Sequence, residues 1–258
     1  MTLIDTHTHL DHVEHVEQVL EEAYKAGVTG VVTVGVDLAS NRRNLEIQRV
    51  TTNPKIYVAL GIHPGNINLE EMEETLEFIR NHIHKAIAIG EIGLDYWYKW
   101  VRKDDTKKKE QRDIFQKQLA LSKEFNLPVV IHSRGAWRDC LTMTKDMAIR
   151  KALFHWYSGP VEILEEIVAA GYYVSASPSL AYSPQSREAI AHAPLERIFI
   201  ETDSPTFFSS DGKNGFQATP KDVFRTVQAY CELTNVEATI AAKHFDANAR
   251  SFFNMKDE

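Results

Sequence analysis

Eight short apolar runs rich in β-branched residues alternate with segments of helical periodicity along this 258-residue chain. Few folds accommodate that alternation, because strands joined by crossover helices lie parallel and connect with one hand. Six of the runs also end in polar residues. His7 and His9 close residues 3–9, His63 closes 56–63, Glu91 follows 86–90, His132 ends 128–132, His155 ends 152–155 and Asp203 ends 197–203. Runs at 30–35 and 172–176 complete the eight. Apolar residues recur at helical spacing over 12–26, 39–52, 69–84, 107–125, 136–147, 160–170, 184–192, 219–233 and 236–253. Gly27, Asn53-Pro54 and Gly171 supply stops.

Two architectures fit this order. A doubly wound open sheet collects its ligands at one switch point. A closed barrel brings the C-terminal ends of all its strands to one mouth. Eight strands, with polar residues spread over six of their ends, favour the α/β TIM (β/α)8 barrel. The length suits one such domain across 1–258.

Composition narrows the function. A formal net charge of -7 argues against a protein that coats nucleic acid through bulk charge, but not against an enzyme that grips a few phosphates. Cys140 and Cys231 match no CxxC or metal-finger spacing, so two reduced thiols in a cytoplasmic protein are expected. Neither a membrane span nor a signal peptide is expected, since no 18-residue apolar run and no basic-then-apolar N-terminus occur.

The polar strand ends carry the chemistry. His7 and His9 are two residues apart, which on a strand puts both side chains on one face. Asp11 follows as a candidate cap for the first helix. Glu91 stands between Gly90 and Ile92-Gly93, a poor place for an unpaired core charge. Taken singly, each histidine reads as a hydrogen-bonded structural residue, and Asp203 as the cap of a turn. Together, several imidazoles and two carboxylates form a mixed nitrogen–oxygen set suited to zinc, manganese, iron or magnesium. Six ligands exceed one tetrahedral ion but suffice for two that share a carboxylate. Two ions roughly 3.5–4 Å apart suit in-line displacement at phosphorus.

Asp5-Thr6-His7-Thr8-His9-Leu10-Asp11, Gly61-Ile62-His63-Pro64, residues 90–96, Val130-Ile131-His132-Ser133-Arg134 and Glu201-Thr202-Asp203-Ser204-Pro205 resemble the motifs of TatD-type metal-dependent deoxyribonucleases. The likeness runs in the family's order to residues 247–253. It implies a metallo-hydrolase barrel with a divalent-metal site at its mouth. His7, His9, Glu91 and Asp203 match the ligands of one ion, and Glu91, His132 and His155 those of a second. By the same resemblance His63 is a substrate contact near the site, and Asp203 and Glu91 are the catalytic carboxylates. Asp203 holds the nucleophilic water and takes its proton. Arg134 is a candidate phosphate contact, with a surface ion pair as the plainer reading. The chain departs from the family at Thr206-Phe207-Phe208, where a Tyr-Leu-type pair is usual. It departs again at Gln217-Ala218-Thr219-Pro220, in place of an Asn-Glu-Pro segment. Both departures bear on substrate preference.

Residues 96–103 interleave aromatics with cations and join Lys107, Lys108, Lys109 and Arg112 in the strongest basic cluster of the chain. Such a mixture suits a single-stranded nucleic acid, with Trp97 as the nearest candidate contact to Glu91; a solvated helix face is the alternative. The leading expectation is a monomeric deoxyribonuclease that works from DNA ends or single strands with two divalent ions (zinc, manganese or magnesium). An amide or ester hydrolase on the same site, such as a D-aminoacyl-tRNA deacylase, is the second. A barrel that binds without catalysis is the third.

Overall fold

Valine- and isoleucine-rich runs pair strictly in chain order. The computed structural model describes residues 1–255. Its main sheet contains β1 (Leu3–Thr8), β2 (Val28–Val34), β3 (Lys55–Leu60), β4 (Ala86–Gly93), β5 (Val129–His132), β6 (Ala152–Phe154), β7 (Tyr173–Ala176) and β8 (Ile198–Ile200). Each strand is parallel to the next, in the order β1 to β8. This is the expected TIM (β/α)8 barrel. The helices are α1 (Val16–Ala26), α2 (Leu38–Val50), α3 (Met72–His82), α4 (Asp105–Phe125), α5 (Trp137–Asp146), α6 (Val161–Ala169), α7 (Pro184–His192), α8 (Val223–Thr234) and α9 (Ala238–Phe253). Among the described residues, no helix is long and apolar enough to cross a membrane.

The barrel closes where β8 meets β1, and polar groups do the closing. Thr8 and Ser204 form a parallel bridge, Asp203 N–H donates to His7 O at 3.0 Å, and His9 N–H donates to Ser204 O at 2.7 Å. The wholly buried Asp5 carboxylate accepts from Thr202 N–H at 3.0 Å and from the Thr202 hydroxyl. Burial pushes the Asp5 carboxyl well above the usual carboxylate range, and its hydrogen bonds tie together the two segments that carry His7 and Asp203.

Apolar packing forms two layers. Leu3, Val31, Val58, Ile89, Ile131 and Val174 face outward to the helices, in a cluster with Leu20, Ile47, Phe115 and Ile167. Ile4, Val32, Ala59, Ala88, Val130, Leu153 and Phe199 fill the barrel interior with Phe252 and Phe253 from the end of α9 and Met255 just beyond it. Lys151, just before β6, donates to the carbonyls of Ser251 and Phe252 at 2.8 and 3.0 Å, which fixes α9 under the N-terminal ends of the strands. The bottom is therefore plugged by aromatics, and the polar residues lie at the opposite, C-terminal end.

One expectation needs correction, and one element was not expected. Asp11 does not cap the first helix: α1 begins after His15, which makes no side-chain cap bond. Asp11 instead lies in a 3-10 turn, Leu10–His12, and its carboxylate is 3.2 Å from His12 Nε2. An antiparallel hairpin of β9 (Phe207–Ser209) and β10 (Gly215–Gln217) was also not anticipated. Its strands are three residues each, too short to show periodicity.

Candidate metal centre

Glu91 lies inside β4, 2 % exposed, and its two oxygens face different partners. Oε2 is 3.3 Å from His7 Nε2 and 3.5 Å from His9 Nε2. Oε1 is 2.8 Å from His132 Nδ1, 2.8 Å from His155 Nε2 and 3.5 Å from His63 Nε2. Asp203 Oδ1 faces the same two imidazoles as Oε2, 3.5 Å from His7 Nε2 and 3.2 Å from His9 Nε2. All seven residues proposed from sequence around the metal site converge. The register of β1 on β2 shifts between Asp5 and Thr8, so the aim of His7 and His9 does not follow from simple alternation.

Several of these polar atoms lack a hydrogen-bond partner. His7 Nδ1 and Nε2, His9 Nδ1 and Asp203 Oδ1 are buried and unsatisfied among the described residues. Such groups are expensive to bury unless something else binds them. His7 and His155 stack with ring centroids 3.9 Å apart and planes 7° from parallel, so both rings aim into the same space.

Two carboxylates behind the histidines escaped the sequence reading. Asp95 Oδ2 is 2.8 Å from His132 Nε2, which leaves Nδ1 for the centre. Glu201 Oε1 is 3.4 Å from His155 Nδ1, and its Oε2 accepts from the Ser175 hydroxyl. A carboxylate on the far nitrogen sets the tautomer and ring orientation of a metal-binding histidine. Both residues sit in motifs legible in the sequence, but spacing does not say which ring nitrogen they reach. His63 is different. Its Nδ1 accepts from Gly65 N–H at 2.9 Å, so a neutral ring carries its proton on Nε2, facing Glu91. That makes His63 a donor toward the site.

Burial disfavours every charge here, and the neighbours decide the outcome. Asp203 and Glu91 push His9 up to about 9 against burial. Asp95 and Glu91 likewise raise His132, and Glu91 with Glu201 raises His155 well above the ordinary imidazole range. Burial wins at His7, lowered further by His155, and at His63, which falls to about 3. Burial opposes ionisation of Glu91, yet the surrounding imidazoles hold it well below the usual carboxylate range. Asp203 is lowered by His9 and His7 against the same opposition. Ionised carboxylates among imidazoles are donor chemistry for a divalent cation.

The centre opens into a cavity of about 770 Å³ lined by Trp97, Arg134, Trp137, Trp156 and Tyr182 among others. Trp97 is 65 % exposed and packs against Gly135, whose φ of +71° and lack of a Cβ make room for the indole. Gly93, at φ +135°, lets the end of β4 approach His132 O, where a Cβ would come within 2.0 Å. Arg134 pairs with a buried carboxylate rather than forming a surface ion pair: Nε and Nη2 each lie 2.8 Å from Asp95 Oδ2. It lines the cavity as well. The basic cluster is smaller than expected. Lys107, Lys108 and Lys109 pair with Glu110, Asp105 and Asp113 at 2.6, 3.2 and 2.6 Å, and Arg112 bonds Tyr96 Oη at 3.0 Å.

Residues 4–254 match the family model described as TatD related DNase. Deoxyribonuclease TATDN3 of Homo sapiens is 32% identical over 215 residues, which covers 79% of this chain and 78% of that protein. The metal-dependent hydrolase MJ1582 of Methanocaldococcus jannaschii, itself uncharacterized, is 30% identical over 258 residues, covering 98% of this chain and 97% of that one. The crystal structure of YJJV, a TatD homolog from Escherichia coli, superimposes with a TM-score of 0.87 at 28% identity, covering 98% of each chain.

Proposed function

Because the chain belongs to the TatD-related DNase family, we propose that it is a deoxyribonuclease that hydrolyses phosphodiester bonds with two divalent ions, both of which Glu91 would help to hold. The observation that carries this reading is the division of labour at Glu91, one oxygen toward His7 and His9 and the other toward His132 and His155. The residues fit the ions: buried, unpartnered nitrogens and a carboxylate oxygen surround ionised carboxylates. His7, His9, Glu91 and Asp203 would hold one ion, and Glu91, His132 and His155 the other. Bound there, the ions supply charge stabilisation at phosphorus and a more acidic water.

The protein side chains supply the rest. Asp203 Oδ2 accepts from the Thr206 hydroxyl at 3.0 Å, while Oδ1 faces His7 and His9. Asp203 is the acceptor for the proton of an attacking water. His63 Nε2–H donates to a substrate oxygen, since Nδ1 is occupied by Gly65. Arg134 spends two nitrogens on Asp95 and has further N–H groups for a phosphate. Trp97, exposed at the rim, offers a face for a base.

The test is hydrolysis of an end-labelled single-stranded oligonucleotide by metal-stripped protein, with magnesium, manganese or zinc restored. Cleavage should return with metal and fall at least about 100-fold in Asp203→Asn, the scale of a lost general base. Undiminished cleavage by that variant would remove Asp203 from its role. An absence of cleavage at confirmed metal occupancy would transfer the site to a carbonyl substrate such as an aminoacyl ester.

A further inference from the structure

One side of the cavity is not used by the reaction just described. It begins at Trp156, the residue after His155, and continues through Ser179, Tyr182, Ser183, Gln185 and Ser186. Trp156 is held from three directions. Its backbone N–H donates to Ser175 Oγ at 2.9 Å, and Ser175 in turn donates to Glu201, the carboxylate behind His155. Its indole N–H donates to Ser179 Oγ at 2.8 Å. Its ring packs on Phe208 of the hairpin, centroids 5.3 Å apart. Its φ of +40° is unusual for a bulky residue, a conformation kept only where the surroundings enforce it. The result is a rigid aromatic wall one residue from a metal-site histidine.

The wall is polar but uncharged. Its groups are hydroxyls, an amide, an indole and the Tyr182 ring; among the described residues the one Lys or Arg that lines the cavity is Arg134, whose Nε and Nη2 are engaged by Asp95. The start of α7 adds little positive potential. Pro184 has no N–H, and the Ser183 hydroxyl already accepts from Ser186 N–H at 3.3 Å. The cavity volume, about 770 Å³, lies within the roughly 300–1,000 Å³ of sites that enclose one small ligand. An aromatic, hydrogen-bonding, neutral lobe beside a phosphodiester-cleaving centre fits a base and its sugar. A terminal phosphate carries about −1.5 to −2 charge near neutral pH and would find no cationic partner there.

We propose that the Trp156–Ser179–Tyr182 side of the cavity binds the terminal nucleoside of a single strand, accepting an end that bears a hydroxyl and rejecting one that bears a phosphate. This rests on the nuclease reading above. It also gives the departure at Thr206-Phe207-Phe208 a physical consequence, because Phe208 backs the Trp156 ring.

The experiment compares three otherwise identical single-stranded oligonucleotides with manganese present: hydroxyls at both ends, a 5′-phosphate, and a 3′-phosphate. One of the two phosphates should lower kcat/KM at least about tenfold, mainly through KM, while the other leaves it within about twofold, as expected when a charge enters an unpaired site. Gln185→Lys, an exposed change at the lobe, should recover much of that loss. Tyr182→Ala should raise KM for the hydroxyl-ended strand more than it lowers kcat. Equal rates on all three strands, internal cutting indifferent to the ends, or a penalty untouched by Gln185→Lys would overturn the subsite and leave the nuclease reading standing. No cleavage of any strand would overturn both.

Discussion

A single buried carboxylate, Asp95, organises three functional groups. Its Oδ2 serves His132 Nε2 and two Arg134 nitrogens, each at 2.8 Å. Its Oδ1 accepts from Trp97 N–H at 2.8 Å and Tyr98 N–H at 3.2 Å. Burial opposes its ionisation, but the bond from His132 and the charges of His132 and Arg134 keep it below the usual carboxylate range. Asp95→Asn preserves volume and removes the charge, and the amide presents donors where a carboxylate only accepts. Metal affinity should weaken about 10–100-fold, the usual scale for a lost partner behind a ligand histidine. A metal titration with a thermal melt checks this; an unchanged affinity in a folded variant would remove Asp95 from the positioning role. Asp95 stands in a motif visible in the sequence, yet its four partners are 37, 39, two and three residues away. Only the folded chain reveals such a hub.

At the level of elements, side-chain amides from the helices complete backbone ladders where the strands stop. Asn41 of α2 bonds both N–H and O of Gly61, and Gln118 of α4 bonds both N–H and O of Ile62. Gln111 of α4 accepts from Asp95 N–H and donates to Pro64 O. These clamps explain why His63 sits three residues past β3, and a similar loop why Asp203 sits three past β8. In sequence the apolar run before His63 continues through Ile62, so that strand reads longer than its ladder. The alternation of strands and helices was legible because period and length differ between them. The hairpin was not, and neither was the pairing of Lys107, Lys108 and Lys109 with acids on α4 itself, a spacing of three or four residues on one helix face. Lys99, Arg102 and Lys103 of the preceding loop have no acidic partner among the described residues. Replacing these three with Gln should flatten the salt dependence of single-strand binding by about 2 in log–log slope. The same change at Lys107, Lys108 and Lys109 should leave the slope near its original value. Equal slopes in both variants would return the loop to a solvated surface.

For the whole molecule, the barrel opens one end and closes the other. Phe252 and Phe253 from α9 pack on Phe199 and fill the bottom, and the candidate site lies at the opposite mouth. The seam between β1 and β8 is bonded by the segments that carry His7, His9 and Asp203. The segments that close the ring therefore also carry part of the candidate site, whose proposed metal ligands come from five separate strands. The most direct measurement is metal stoichiometry of the wild-type protein and Glu91→Ala, by elemental analysis after stripping and reloading with manganese or zinc. Two ions per chain in the wild type, with occupancy reduced at both positions in Glu91→Ala, is the predicted result. One ion in the wild type, or two retained without Glu91, would contradict the bridged centre.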